Sequence, residues 1–344
     1  MMGNRPGIRA GAFSIAVLLA VFPSGALVTA EAQQTSIDKA APRDRLSDNQ
    51  LIDGLNQALL EAQVSKGGGT PAMWRLADED TTIHLFGTVH LLPSELQWRT
   101  EMINEAITDA DTIVFETDTT SDTAQRAIAT ELLERGMFND GRTLKGALNA
   151  RETAVVSAAF ETVGASLRRM NRFEPWMASV NLSVLKMIKD GHDPNAGVES
   201  VLAIEAKAAG KTIVYLETLS QQTDAFDLLP EEEQINMLYG TALLLDRSPQ
   251  LFDTLVDEWA DGDVDGIAKL VANPNGFGST EAVYQSFLVK RNAAWVPQIE
   301  AMLEEPGSVF VAVGAGHLAG QDSVIAMLRD RGHKVEGPVI DGID

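Results

Sequence analysis

The chain has 344 residues, of which 45% are hydrophobic and 22% are charged, and its formal net charge is −22. This composition excludes disorder of the whole chain and collagen-like structure. The acidic balance argues against a nucleic-acid partner, because phosphate binding needs a positive surface. The sequence contains no cysteine, which excludes disulfides, thiolate metal sites and cysteine nucleophiles, so any metal must bind to His, Asp or Glu.

Residues 1–30 have the pattern of a secretory signal peptide. Arg5 and Arg9 form a basic start, residues 12–22 are uncharged and largely apolar, and small residues end the segment at Ala30. The apolar stretch is too short for a comfortable membrane span. We therefore expect a periplasmic or secreted protein without stable membrane insertion after signal cleavage.

Residues 31–71 are expected to form a flexible N-terminal segment with one short helix, at about 46–64. A stretch of Ser, Lys, Gly, Thr and Pro at 65–71 is typical of a linker. We therefore place the folded domain at 72–344.

Strand and helix patterns alternate within this domain. In chain order, the predicted elements begin with a hairpin of strands at 73–77 and 81–87, a helix at 93–109 with Ser94 as its N-cap, and a strand at 112–115. A helical region at about 121–189 follows, with breaks near 136–142 and 164, and then come a helix at 197–209 and a buried strand at 212–216. The remaining elements are helices at 229–247, 251–271 and 280–304, the last interrupted at Pro297, then a strand at 309–313, a helix at 323–331 and a strand at 334–340. This order predicts an α/β fold: a mostly parallel central sheet covered by helices, with a large helical insertion between strands.

Four of the predicted strands are followed by an ionisable side chain. In chain order these side chains are His90, Glu116, Glu217 and His317. Ligands of open α/β sheets bind outside the carboxyl ends of the strands, and parallel strands place those ends at one edge. We therefore expect the four side chains to converge, and two histidines with two carboxylates suit a divalent metal. Alternatively, each glutamate can cap the helix that follows it.

The two histidines share a four-residue pattern. Residues 87–90 and 314–317 both read Gly-x-x-His after an apolar strand. Glycine at this position allows a tight turn and the close approach of a ligand. The repetition favours a shared site, although each histidine can instead cap a loop through hydrogen bonds.

These motifs, with several others, resemble the TraB/PrgY/GumN family. The other matching stretches are Gly197-Val198-Glu199, Leu216-Glu217-Thr218 with Gln222, Arg291-Asn292, and Leu318-Ala319-Gly320 after the second histidine. The resemblance covers about residues 72–340, and the animal Tiki proteins, described as metal-dependent proteases, are related to this family. It implies an α/β fold similar to those of erythromycin esterase and the haem-binding ChaN proteins.

The resemblance also implies which side chains surround the site. These are His90, Glu116, Glu217, Arg291 and His317. Relatives often carry Asp at the position of Glu199, and the longer side chain here argues against a direct role for it.

The sequence therefore predicts a metal-dependent hydrolase, peptidase- or esterase-like, that acts on a small-molecule or peptide substrate. His90, Glu217 and His317 are the predicted ligands of a divalent Mn, Co or Zn ion, which would activate water. Glu116 is the predicted general base. Arg291 is the second predicted catalytic residue, either stabilising an oxyanion or pairing with a carboxylate.

Two alternatives remain open at this point. In a metal-independent esterase-like site, His90 acts as the base and Glu116 orients it. In a non-catalytic protein, the same pocket binds haem, a peptide or a polysaccharide, although haem does not need the two carboxylates.

Overall fold

The computed structural model describes residues 46–65, 67–248, 250–272 and 280–339. The predicted signal peptide and residues 31–45 lie outside these ranges. Among the described residues, no helix is both long and apolar enough to cross a membrane.

A six-stranded sheet forms the centre of the fold, and a separate pair of short strands lies beside it. The strands are β1 Met73–Ala77, β2 Thr81–Thr88, β3 Leu92–Pro93, β4 Thr112–Phe115, β5 His192–Asp193, β6 Thr212–Tyr215, β7 Gly307–Gly314 and β8 Val335–Glu336. The order in the large sheet is β6-β4-β7-β2-β1-β8. Strands β6, β4, β7 and β2 are parallel, whereas β1 is antiparallel to both β2 and β8. The predicted α/β class with a mostly parallel sheet is confirmed.

Helices cover the sheet and form most of the chain between β4 and β7. They are α1 Asp48–Val64, α2 Glu101–Asp109, α3 Asp122–Arg135, α4 Leu144–Ala147, α5 Ala150–Thr162, α6 Leu167–Met170, α7 Pro175–Lys189, α8 Val198–Ala209, α9 Leu219–Asp227, α10 Glu231–Arg247, α11 Leu251–Asp261, α12 Val264–Val271, α13 Glu281–Tyr284, α14 Lys290–Ala301 and α15 Val324–Asp330. A π-helical turn, Gln285–Val289, joins α13 to α14, and the 3-10 turn Ala315–His317 follows β7.

The two largest apolar clusters of the described residues hold these layers together. The first lies around the sheet, where Ile83, Phe86 and Phe310 are fully buried. The second lies in the helical insertion, here helices α4–α7, α10 and α11, where α10 packs on α5 and α7 through side chains such as Phe160 and Leu238. The insertion therefore has an apolar core of its own, which positions its helices above the carboxyl ends of the strands.

The N-terminal helix, predicted to lie in a flexible segment before the domain, packs against the helices of the domain. Helix α1 packs on α10, α11 and α12, with Leu55 and Ala62 buried against Leu244, Leu251 and Leu270. Its apolar face completes a small core cluster because its leucines recur at helical spacing.

Two predicted helices differ in their boundaries. Helix α2 begins at Glu101 rather than near 93, because Thr100 provides the N-cap oxygen for Ile103 N–H, while Ser94 bonds to the Asp193 side chain instead. Pro297 lies inside α14 and does not interrupt it. Proline costs a helix one hydrogen bond, and the residue four positions earlier, Ala293, is exposed, so its carbonyl can bond to water.

Two predicted strands also differ. Strand β6 was expected to be buried, yet it is the edge strand beside β4 and alternates between exposed and half-buried residues. The strand predicted at 334–340 is only the two-residue β8, and residue 340 lies outside the described ranges.

Candidate functional site

The predicted side chains do meet at the carboxyl edge of the sheet. His90, Glu116, Arg291 and His317 line one cavity of about 530 Å³ between the strand ends and the helical insertion. Glu217 follows the edge strand β6 and is not among the residues that line this cavity. It contacts the site through Arg291 instead.

Arg291 lies at the centre of the polar cluster. Its Nε and Nη2 donate to the two oxygens of Glu217 at 3.1 and 2.6 Å, and Nη2 also donates to Glu116 Oε2 at 2.6 Å. Nη1 donates to the Phe287 carbonyl oxygen at 3.1 Å and to His317 Nε2 at 2.9 Å. A guanidinium has five N–H groups, so all five are used. Arg291 therefore pairs with carboxylates and, in this arrangement, has no N–H left for a substrate oxyanion.

Glu116 is an ionised acceptor held from three sides. The Gly314 N–H donates to Oε1 at 2.7 Å, while Arg291 and Gln222 Nε2 donate to Oε2, the latter at 3.1 Å. A Cβ at Gly314 would lie 3.2 Å from Oε1, so glycine lets the backbone approach the carboxylate. Burial opposes the charge of Glu116, but the Arg291 guanidinium foremost, and also the Gly314 N–H, outweigh it and hold its pKa at about 2.

His317 is a neutral acceptor. Asn292 Nδ2 donates to the Asp322 carbonyl oxygen at 2.7 Å, which turns Asn292 Oδ1 towards His317 Nδ1 at 2.6 Å. Nδ1 therefore carries the ring proton, and the Nε2 lone pair accepts from Arg291. Burial and the neighbouring guanidinium lower the pKa of His317 to about 3. Both ring nitrogens are engaged by protein groups.

Glu217 differs electrostatically from Glu116 although both bind Arg291. Burial of its carboxyl raises the pKa of Glu217 above the usual value, and the negative charge of Glu116 adds to this rise against the stabilising guanidinium. Its two hydrogen bonds fix the plane of the guanidinium, which is the geometry expected of a positioning residue.

His90 and Glu199 form a second polar pair on the cavity wall. His90 Nδ1 lies 2.8 Å from Glu199 Oε1, and 53% of the His90 side chain is exposed. The Glu199 carboxylate raises the pKa of His90 to about 9, against the desolvation of the ring by burial. With Nδ1 held by the carboxylate, Nε2 is the ring nitrogen available to a ligand.

The start of α8 explains how Glu199 reaches His90. Val198 N–H donates to the Val89 carbonyl oxygen at 3.1 Å. A Cβ at Gly197 would overlap the carbonyl oxygen of His90, so glycine is needed for this close packing. The Gly-Val-Glu stretch therefore docks its helix directly beside the first Gly-x-x-His motif.

The predicted metal ligands do not fit one ion as they are folded. The oxygens of Glu217 bind Arg291, and both nitrogens of His317 have protein partners. Within the described ranges, no three His, Asp or Glu side chains are arranged to hold a metal ion. Binding of a metal ion by His90, Glu217 and His317 would require the Arg291 guanidinium to move away. The predicted metal site therefore stays a prediction.

Three residues contribute to the site although the sequence analysis gave them no role in it, or argued against a direct role. Glu199, rather than Glu116, orients His90. Asn292 fixes the tautomer of His317, and Gln222 supports Glu116. All three lie in stretches that carry the family resemblance, which is the only signal that pointed to them.

Comparisons with known proteins agree with this resemblance. The sequence model of the TraB/PrgY/gumN family matches residues 72–337. An uncharacterized protein of Treponema pallidum (strain Nichols) is 22% identical over 272 residues, which are 75% of this chain and 80% of that protein. The uncharacterized protein YbaP of Escherichia coli (strain K12) is 25% identical over 250 residues, 72% of this chain and 87% of its own.

No solved structure gives a significant match to the chain. The family match covers more than half of the sequence and includes every site residue discussed above. The chain belongs to the TraB/PrgY/gumN family.

Proposed function

We propose that this protein is a hydrolase of carboxylic esters in which His90, held by Glu199, moves the proton. The observation that carries the proposal is the 2.8 Å contact between His90 Nδ1 and Glu199 Oε1, with the ring half exposed at a cavity wall. A carboxylate–imidazole pair of this kind fixes the tautomer and stabilises the imidazolium that forms during proton transfer.

The reaction uses the neutral form of His90. Water attacks the ester carbonyl carbon and passes a proton to His90 Nε2 as the new carbon–oxygen bond forms. The carbonyl oxygen takes the negative charge of the tetrahedral intermediate. When the bond to the leaving oxygen breaks, Nε2 returns the proton to that oxygen, and a carboxylic acid and an alcohol are released.

The Arg291 cluster has a supporting role in this proposal. The Arg291 guanidinium is hydrogen-bonded to the carboxylates of Glu116 and Glu217 and to His317. These groups therefore form a fixed polar surface beside His90. Glu116 lines the cavity as a permanent negative charge and favours the imidazolium. Catalysis then depends on His90, whereas the cluster maintains the shape and the electrostatic field of the cavity.

The test measures hydrolysis of p-nitrophenyl butyrate by the purified protein after exhaustive chelation. We expect turnover in the parent, and a loss of about 10²–10⁴-fold in His90→Ala. His84→Ala is the control, since His84 is also half buried but lies inside β2, away from the residues that line the cavity. An inactive parent, or full activity in His90→Ala, would overturn the proposal.

A metal-dependent hydrolase is the second candidate. The observation on its side is Glu199 Oε2, a buried oxygen without a hydrogen-bond partner in the described structure, which a cation would satisfy. Mass spectrometry of the metal content before and after chelation separates the two. Stoichiometric Mn, Co or Zn whose removal abolishes activity, and whose return restores it, would replace the metal-free route.

We also propose export of the protein to the periplasm or the medium. The support is the basic start, apolar stretch and small-residue end of residues 1–30.

A further inference from the structure

The cavity is much larger than the catalytic pair requires, and most of its wall is apolar. Helices α7, α9, α10 and α11 and the π turn contribute apolar side chains to the lining: Val184, Phe226, Met237, Phe252, Leu255 and Phe287. Volumes of about 300–1,000 Å³ are typical of pockets that enclose small ligands, and this cavity of about 530 Å³ lies in that range.

Charged groups in the lining cluster beside the carboxyl ends of the strands. They are His90, Glu116, Glu199 and Arg291, together with the neutral His317, and the other described lining residues carry no charge. A charged substrate group placed between the helices would lose its hydration without gaining a partner, which strongly disfavours its binding. The helical side of the cavity therefore selects an uncharged, apolar group.

The position of His90 sets the direction in which a substrate lies. His90 is the most exposed of the polar site residues, whereas Glu116 and His317 are buried. In the proposed reaction the leaving oxygen receives its proton from His90 Nε2, so the leaving group lies beside His90, at the strand-end side of the cavity. The acyl group then extends from the carbonyl carbon into the apolar part of the cavity.

We infer that the substrate is an uncharged ester with an extended apolar acyl chain, which occupies the cavity between α7, α10 and α11. This inference rests on the proposed function for the bond that is cut. The part of the cavity lined by α7, α10 and α11 is called the apolar chamber below. The inference that it holds an apolar chain depends only on the geometry and lining of the cavity.

The first experiment compares p-nitrophenyl esters from acetate to octanoate. Burial of one CH₂ contributes about 0.8 kcal/mol, so kcat/KM is expected to rise about fourfold for each added CH₂ until the cavity is filled. Hydrolysis with no dependence on chain length, or with a preference for acetate, would overturn the inference and leave the proposed function standing.

The second experiment measures binding without turnover. The probes are 2-alkanones from 2-butanone to 2-decanone, which resemble esters but cannot be hydrolysed, and their dissociation constants are measured by calorimetry. We expect Kd to fall with chain length by a similar factor. Tighter binding of the longer ketones, without hydrolysis of any ester, supports the chamber and overturns the hydrolase. Equal or undetectable binding overturns the chamber.

A matched pair of variants on α7 locates the chamber. Val184 lines the cavity, whereas Ile188, one turn later on the same helix, is exposed. Val184→Trp is expected to lower the octanoate-to-acetate ratio of kcat/KM at least tenfold, because the indole fills space that the chain needs. Ile188→Trp is expected to keep the parental ratio. The ratio does not depend on the fraction of folded protein, and an unchanged ratio in Val184→Trp would overturn the assignment.

Discussion

Glu199 contacts His90 through a single oxygen: Oε1 lies 2.8 Å from His90 Nδ1 and also accepts a hydrogen bond from Thr88 Oγ1. The Glu199 side chain thus joins the start of α8 to the end of β2 and the turn after it. Because a carboxylate only accepts hydrogen bonds, this contact keeps the proton on Nδ1 and leaves Nε2 for the cavity. The electrostatic consequence is the high pKa of His90, about 9.

This pKa predicts the pH dependence of the proposed reaction. Only neutral imidazole accepts a proton from water, and His90 is mostly charged below pH 9. We therefore expect kcat/KM to rise with pH and to level off above about pH 9. A pH–rate profile measured with a neutral ester tests this. A rate that falls above pH 9 would mean that His90 acts as an acid instead.

Glu199→Gln is expected to shift that profile towards lower pH. The substitution keeps an oxygen near Nδ1 but removes the charge that raises the pKa of His90. The rising limb should then move from about 9 towards the ordinary histidine value of about 6.5. The same pH–rate measurement serves both proteins, and an unshifted limb would show that Glu199 does not control this proton.

Arg291→Lys is expected to destabilise the fold even though the charge is kept. An ammonium has three donors, whereas Arg291 makes five hydrogen bonds, two of them to the buried Glu217. Disrupting a buried ion pair costs about 3–5 kcal/mol, measured as the free energy of unfolding in urea. Arg75→Lys is the control, since Arg75 is exposed and lies 3.5 Å from Glu336; a change within about 0.5 kcal/mol is expected there. Equal effects in both variants would contradict the central role of Arg291.

His317 is expected to make the protein lose stability in mild acid. Its folded-state pKa is about 3, so below pH 6.5 the unfolded chain takes up a proton that the folded chain does not. Stability present above pH 6.5 is therefore lost as the pH falls towards 3, with a slope of up to about 1.4 kcal/mol per pH unit.

The measurement compares the free energy of unfolding of the parent and His317→Gln between pH 6.5 and 4.5. Glu174 and Glu258, whose pKa values are raised to about 7 by burial, contribute with the opposite sign in this window. They are common to both proteins, so they cancel in the difference. The parent should lose more stability than the variant, and parallel curves would show that His317 takes up no fewer protons in the folded state.

Export predicts the N-terminus of the mature protein. Small residues end the apolar stretch at Ala30, with a second small-residue site at Ala32. N-terminal sequencing of exported material should find a start within two residues of Ala30. Recovery of the chain with Met1 intact would contradict the signal peptide.

The sequence indicated which residues end the strands, because the strands and the polar residues after them follow from local patterns. Apolar runs and the polar residue after each run place Glu116 and His317 at the carboxyl ends of strands, and the structure shows that these two strands are parallel neighbours. The same patterns do not show that β6 lies at the edge, since a short apolar run looks alike in a central and an edge strand.

The partners within the site could not be predicted in this way. One of the five hydrogen bonds of Arg291 goes to Phe287 in the adjacent π turn. The other four go to two strand ends and the turn after β7, which only the folded chain brings to Arg291. The length of Glu199 argued against a direct role, yet the close docking of α8 at Gly197 makes that length suitable. When the backbones of two segments that are distant in the sequence pack closely together, neither segment shows a periodic pattern that reveals it.

The π-helical turn Gln285–Val289 takes up one extra residue in the helix that carries Arg291. One π turn holds one residue more than an α turn, so the helical segments on its two sides keep the same phase as in an unbroken α-helix. Removing one residue from this turn would therefore leave an ordinary α turn and keep the guanidinium directed at both glutamates. The chain can lose a residue at this turn without turning Arg291 away from the buried carboxylates.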